Sequence, residues 1–390
     1  MERGFLAPRE VVVGPSASLG AGLLRWGVRP GPVTVVVDRA VATAGLADGL
    51  MDGLAGAGFD PHVFDEIAGE PDAATVERAT EFARARSTTA VVGLGGGSAM
   101  DAAKVVALLL ANSGGVADWL GVVEPPNPPA PLALVPTTTG TGAEATRIAM
   151  VTVNGAKRAI SCAGFVPLLA VLDAELVAGL PGPVVAATGM DAMAHAIESI
   201  LSTNRSGFTV ALARQAVRIL VADLADAAAG DAPARARTLY AAHLAGLALN
   251  AGVVLGHSLA YVVAAPTGLS HGASCALALP YCLAYNQSVA DPVAATIAEA
   301  VTGRPDARLR DAADALADLV ARLQLPGRLV DVGIAADTIP QLAARLVTDY
   351  PRPNNPVPFE AGRIEALLSA MHSAGLDAAW NLTAERERAA

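Results

Sequence analysis

Short apolar runs recur through the first 180 residues: VTVVVD at 33–38, PHVF at 61–64, TAVVGL at 89–94 and PLALVP at 131–136. They are rich in β-branched residues and bounded by turn formers, which predicts strands. Between them stand Ala-rich stretches with helical periodicity, such as 73–86. Alternation of this kind argues for parallel strands joined by crossover helices. After Leu180-Pro181-Gly182 the pattern changes to long Ala/Leu/Val segments with helical period and few strand signals. The expected fold class is therefore α/β, with a Rossmann-like parallel-sheet domain over 1–181 and an all-helical domain over 182–390. The proline-rich PPNPPAP at 125–131 reads as a linker inside the first domain, because a strand pattern resumes at once.

Length and charge narrow the function. A chain of 390 residues is long for one compact core, and 53% hydrophobic content is ample for two. Net charge is -10, with 37 acidic against 27 basic residues and no basic run, which disfavours nucleic acid and anionic membrane surfaces as partners. Small molecules are the expected partners. Residues 238–290 contain no Asp, Glu, Lys or Arg, as a membrane span would, but His243, Asn250, His257, Pro266, His271 and Asn286 punctuate them. A spanning helix needs about 20 predominantly apolar residues, so this stretch predicts buried helices around a site. The opening MERGFLAPRE lacks a signal-peptide core, and Cys162, Cys275 and Cys282 form no CxxC pair or disulfide framework. A cytoplasmic, reducing location is expected.

Two turns have the chemistry of a nucleotide site. In TAVVGLGGGSAMDAAK a buried strand leads through Gly95, Gly96 and Gly97 to a helix opening at Ser98. Glycines let the backbone approach a pyrophosphate, and a helix start offers free N–H groups with a favourable dipole. The run is not GxGxxG, and glycine turns between strand and helix are common. PTTTGTGAEAT at 136–146 is a second Gly/Thr-rich turn after a strand, suited either to another part of a dinucleotide or to capping a helix. Asp38 ends its strand where a carboxylate would accept from a ribose 2′-OH and repel a 2′-phosphate, favouring NAD over NADP. It is equally placed to cap a helix.

Downstream lie four groups suited to a metal. Asp191 and His195 are four apart in a helical segment and so share one face. His257 and His271 fall in the uncharged stretch, where a buried polar group needs a partner. One carboxylate with three imidazoles suits Fe(II) or Zn(II) with a coordination position left for a substrate oxygen. His62, His243 and His372 have no comparable context.

These motifs resemble the iron-containing (group III) alcohol dehydrogenases over essentially the whole chain: GGGSAMDAAK, PTTTGTGAEAT, AKRAI, LLAVLDAELVAGLP, TGMDAMAHAIE, GHSLAY and SHG. The resemblance implies metal ligation by Asp191, His195, His257 and His271, and pyrophosphate binding by Gly95, Gly96, Gly97 and Ser98. It implies cofactor contacts from Asp38, Thr137, Thr138, Thr141 and Lys157, with Asp101 near the nicotinamide end. The reaction implied is reversible hydride transfer between NAD(H), with NADP(H) left open, and a small aldehyde or its primary alcohol. The metal would act as Lewis acid, with Tyr261 or the ribose hydroxyls relaying a proton. A homodimer is expected.

The chain departs from the family pattern in places. Tyr261 stands where many members carry a second His, Ala143 replaces the Ser of GTGSE, and Glu70-Pro71 replaces Asn-Pro. His-x3-Tyr followed by SHG, with STNRS at 202–206 and NNPVP at 354–358, is similar to the branch that reduces phosphonoacetaldehyde to 2-hydroxyethylphosphonate. That substrate needs an anion-binding group near the metal, and Arg147 is the candidate. The alternatives are a general short-chain alcohol dehydrogenase, a maleylacetate reductase-like enzyme, a dehydroquinate synthase-like lyase and a silent nucleotide-binding protein.

Overall fold

The structure, a computed structural model, describes residues 4–387. The chain forms two compact units, Met1–Gly179 and Leu180–Ala390, dividing just ahead of Pro181.

The first unit is built on nine strands: β1 (Glu10–Val13), β2 (Pro32–Asp38), β3 (Asp60–Ile67), β4 (Ala90–Gly95), β5 (Gly121–Val122), β6 (Leu132–Pro136), β7 (Ile148–Val153), β8 (Ala156–Ser161) and β9 (Leu169–Leu172). Six of them make one sheet in the order β1-β9-β6-β4-β2-β3, parallel throughout. β4, β6 and β9 are buried along their whole length, as befits parallel strands covered on both faces. The two faces belong to separate cores. Val36 and Val91 pack with helices α1 (Ala73–Ala85) and α2 (Gly97–Ala111), whereas Val33, Val35 and Val92 pack with Leu19, Leu23, Leu50 and Leu54. Successive side chains of a strand point to opposite faces, which separates these sets. Gly95 of β4 stands opposite Pro136 of β6, with β2 on the other side of β4. Asp38, the glycine turn and the threonine turn thus leave the carboxyl ends of three neighbouring strands, where open α/β sheets take their ligands.

A smaller sheet, β5-β8-β7, contains an antiparallel β7–β8 hairpin that no sequence signal predicted. A fully buried lysine fastens it to α2. Lys104 Nζ donates to the Ile148 carbonyl at 2.6 Å, and Asp101 Oδ2 accepts from the Met150 N–H at 2.9 Å.

The second unit is helical. Its central members are α3 (Gly182–Leu201), α4 (Gly207–Ala229), α5 (Ala232–Ala248), α6 (Leu255–Thr267) and α7 (His271–Tyr285). Among the described residues α3 alone is long and apolar enough by itself to suggest a membrane span, and 89% of its apolar window is buried in the fold. The uncharged stretch forms the end of α5, a bend of 109° into α6, and α7. Its helices are largely buried in one core with α3.

Candidate metal centre and nucleotide turns

Asp191 and His195 lie one turn apart on α3, His257 in the first turn of α6, and His271 opens α7. Asp191 Oδ1 stands 3.6 Å from Nε2 of each of His195, His257 and His271. That is too long for hydrogen bonds. Donors held about 2.0–2.2 Å from a four-coordinate ion stand about 3.3–3.6 Å apart, so these gaps fit a shared cation. Burial would raise the Asp191 carboxyl, yet the imidazoles of His195, His271 and His257 hold it far below the usual carboxylate range. His195 and His257 stack with ring centroids 4.7 Å apart, and His257 meets His271 at 5.3 Å.

Local sequence dictates this convergence. Gly268, in the left-handed region at φ +68, ends α6, and the Ser270 hydroxyl caps α7 by accepting from the Ala273 N–H. The turn between them delivers His271 at the start of a helix. Gly272 then lets α7 press against α3, since a Cβ there would lie 2.1 Å from the Ala187 carbonyl oxygen. The STNRS and NNPVP segments brace the entrance to α6. Asn354 Nδ2 donates to Ser202 Oγ and to the Val253 carbonyl, and the Leu255 N–H donates to Asn355 Oδ1.

Two further groups at the site were not singled out from sequence. Glu198 is fully buried two turns beyond Asp191 on α3. Its Oε1 lies 2.6 Å from His257 Nδ1, while Oε2 accepts the N–H groups of Val254 and His257. One carboxylate therefore caps α6 and turns His257 Nε2 toward Asp191. The available signal was an acidic residue on the Asp191 face of an otherwise apolar helix. Cys275, one turn after His271, places Sγ 3.6 Å from Asp191 Oδ1, 3.7 Å from His271 Nε2 and 3.9 Å from His257 Nε2. Asp191, His257, His271 and Cys275 offer ligand atoms all within 4.8 Å of one another, and His195 is brought to the group through Asp191. Burial pushes the Cys275 thiol up to about 12. Tyr261 stacks on His271 with centroids 5.3 Å apart.

In the first unit, Gly95, Gly96, Gly97 and Ser98 form the turn into α2. A Cβ on Gly95 would meet Ala99 Cβ at 2.7 Å, and one on Gly97 would meet the Thr141 methyl at 3.0 Å. The Thr137 N–H bonds the Gly95 carbonyl, Thr141 Oγ1 accepts from the Ala143 N–H, and the buried Thr138 hydroxyl has no hydrogen-bond partner. A cradle of glycines, an unsatisfied hydroxyl and a helix start suit a pyrophosphate. Three expected cofactor contacts are otherwise engaged. Asp38 Oδ1 caps the helix Arg39–Thr43 through the Ala40 N–H at 2.9 Å. Asp101 is tied to Lys104 and the hairpin, and Lys157 pairs with Glu70. Arg147 is exposed in the first unit just before β7.

The fold is that of a two-unit, metal-dependent dehydrogenase. The description "Iron-containing alcohol dehydrogenase" matches residues 8–174, and "Fe-containing alcohol dehydrogenase family, C-terminal" matches residues 185–372. The chain is 31% identical to a sulfoacetaldehyde reductase of Bilophila wadsworthia over 86% of this chain and 90% of that protein. It is 37% identical to a long-chain-alcohol dehydrogenase of Geobacillus thermodenitrificans over 65% of this chain and 66% of that protein. Among solved structures it is similar to a 1,3-propanediol oxidoreductase, with TM-score 0.89, 28% identity and coverage of 94% and 99% of the two chains. The sulfoacetaldehyde reductase of Bifidobacterium kashiwanohense, solved with NAD+, aligns with TM-score 0.87, 26% identity and coverage of 96% and 99%. The chain belongs to the iron-containing alcohol dehydrogenase family, and it is an enzyme of that class.

Proposed function

We propose that the protein is an NAD(H)-linked reductase of small anionic aldehydes, with phosphonoacetaldehyde as the substrate to test first. The observation that carries the reaction class is the Asp191 oxygen equidistant from three imidazole nitrogens. Asp191, His195, His257 and His271 would hold the iron, with Zn(II) as a chemically competent substitute. Bound iron supplies Lewis-acid polarisation of a carbonyl oxygen, and bound NADH supplies the hydride.

The chain's own residues do the rest. Asp191 contributes negative charge directly at the donor group, which helps retain a divalent cation. Glu198, bonded at His257 Nδ1, keeps the opposite nitrogen of that ring free to ligate. The apolar walls of α3, α6 and α7 exclude water that would compete for an open coordination position. Tyr261, stacked on His271, is the nearby hydroxyl-bearing side chain to pass a proton toward the product alcohol. The glycine turn, Thr137, Thr138 and Thr141 would hold the pyrophosphate, with Asp38 and Lys157 beside the rest of the cofactor.

The anionic preference is supported by the likeness of STNRS and NNPVP to the phosphonoacetaldehyde branch and by the named sulfoacetaldehyde reductases. A sulfonate and a phosphonate place similar charge beside the aldehyde carbon. The test is NADH oxidation by protein reconstituted anaerobically with Fe(II), comparing phosphonoacetaldehyde, sulfoacetaldehyde and propanal. A kcat/KM higher for the anionic substrates supports the reading. Equal values return the protein to general alcohol dehydrogenases, and no turnover with any of them points to the lyase or binding-protein alternatives.

A further inference from the structure

A half-buried arginine beside the metal centre has a buried Nε without a hydrogen-bond partner. Arg352 lies in PRPNNPVP, between Pro351 and Pro353. Its Nε is buried without a hydrogen-bond partner, and among the described residues no carboxylate pairs with its guanidinium. Arg214, whose Nε is likewise buried without a partner, still pairs with Glu299 through its terminal nitrogen, as do Arg218 with Glu299, Arg237 with Asp223 and Arg310 with Asp314. A buried N–H without an acceptor is costly, and a guanidinium costs more than a neutral group.

The backbone around Arg352 is fixed, so the side chain is not idle through looseness. The Ser258 hydroxyl, adjacent to His257 on α6, donates to the Tyr350 carbonyl at 2.7 Å. The Arg352 carbonyl accepts from the Asn355 N–H at 2.9 Å, and Asn355 is held by Asn286. Prolines on both sides restrict the backbone of the segment. The guanidinium is thereby set over Tyr261, with its carbon 5.9 Å from the ring centroid. Tyr261 also packs against Tyr350 at 5.1 Å and stacks on the candidate ligand His271 at 5.3 Å. Tyr261 thus touches both the guanidinium, whose Nε is unpartnered, and a member of the group of metal donors.

We propose that Arg352 binds the anionic tail of the substrate, a phosphonate or sulfonate carried on a short aldehyde. Its planar fork offers paired donors to such an oxyanion. A short substrate with its carbonyl oxygen at the metal donors would carry its tetrahedral anion on the side of Tyr261, the ring that contacts both His271 and this guanidinium. This assignment rests on the anionic-aldehyde reading and moves the anion-binding role from Arg147, which is exposed in the first unit, to Arg352.

The test compares wild type with Arg352→Gln, Arg352→Lys and Arg147→Gln. Two quantities are read: the ratio of kcat/KM for phosphonoacetaldehyde over propanal in the Fe(II)-loaded enzyme, and the dissociation constant of methylphosphonate by calorimetry. Losing one charged hydrogen-bonding group predicts a fall of roughly 10- to 100-fold in the ratio for Arg352→Gln, with a matching loss of methylphosphonate affinity. Arg352→Lys retains the charge but not the fork and falls between the two; it also answers the question if the Gln variant does not fold. The assignment is overturned if wild type favours the phosphonate while both Arg352 variants keep the ratio and the affinity, or if Arg147→Gln alone reduces them. If methylphosphonate binding depends on Arg352 but wild type shows no preference among aldehydes, the anion site stands and the substrate reading fails.

Discussion

Glu198 Oε1 lies 2.6 Å from His257 Nδ1, joining the last turn of α3 to the first turn of α6. The contact sets which nitrogen of His257 faces the metal donors. Burial alone would raise the Glu198 carboxyl, but His257 and the N–H groups of Val254 and His257 hold it below its ordinary value. Glu198→Gln keeps the shape and weakens the acceptor. Its expected effect is a roughly 10- to 100-fold weaker metal affinity. Iron or zinc content after competition with a graded chelator measures this, and unchanged affinity would separate Glu198 from the site.

Gly272→Ala should disturb the metal donors without altering any of them. The added methyl meets a carbonyl oxygen of α3 at 2.1 Å, so α7 must move and His271 with it. A cost of about 1–3 kcal/mol is expected, together with reduced metal retention. Gly49→Ala is the comparison, since Gly49 lies in the helix Asp48–Gly56 with open space around it. There alanine should stabilise by up to about 1 kcal/mol. Thermal unfolding and metal content of the two variants, side by side, check the contrast.

Lys104→Met should be among the most damaging substitutions in the first unit. Burial draws the Lys104 ammonium down and the Asp101 carboxyl up, and their mutual pairing opposes both shifts. Removing one partner leaves the other buried and uncompensated, at about 3–5 kcal/mol. The double variant Asp101→Asn with Lys104→Met should recover part of that loss in chemical denaturation. Additive losses would mean that the two side chains do not act as a pair.

Acid should weaken the start of α1. Asp72 Oδ1 accepts the Thr75 N–H at 2.7 Å, and that backbone bond holds its carboxyl below its ordinary value. Because the folded-state value is the lower one, its stabilisation is complete above about pH 3.8 and is lost as pH falls through the folded-state value. Asp72→Ala should cost about 1 kcal/mol at neutral pH. Asp72→Asn should retain most of the cap and flatten the acid limb of the melting-temperature profile. An Asn variant with the wild-type acid slope would assign the slope to other carboxylates.

Much of the candidate site was legible because it obeys short-range rules. Asp191 and His195 share a helix face at four-residue spacing, and the glycine run marks a strand-to-helix turn whatever surrounds it. Glu198, Cys275 and Arg352 were less visible. Glu198 and Arg352 owe their interest to partners far away in sequence, one bonding His257 and the other lying over Tyr261. Cys275 sits one turn from His271, but a cysteine on an apolar helix looks the same whether or not a carboxylate of another helix comes within 3.6 Å. The β7–β8 hairpin escaped for a related reason, since its pattern of mixed polarity reflects one face packed on α2 and another left open.

The sequence by itself determined the alternation of strands and helices, the change of pattern near Pro181, and the kinds of donor available to a cation and a dinucleotide. Backbone propensity and hydrophobic period act over a few residues, and composition acts without regard to position. Tertiary structure alone decided that three helices bring their imidazoles within 3.6 Å of one carboxylate oxygen. It also decided that Asp101 anchors a hairpin and that the Nε of Arg352 is left without an acceptor. These outcomes depend on how helices pack, which is fixed by close contacts such as Gly272 on Ala187 and by the need to satisfy buried polar groups across long stretches of chain.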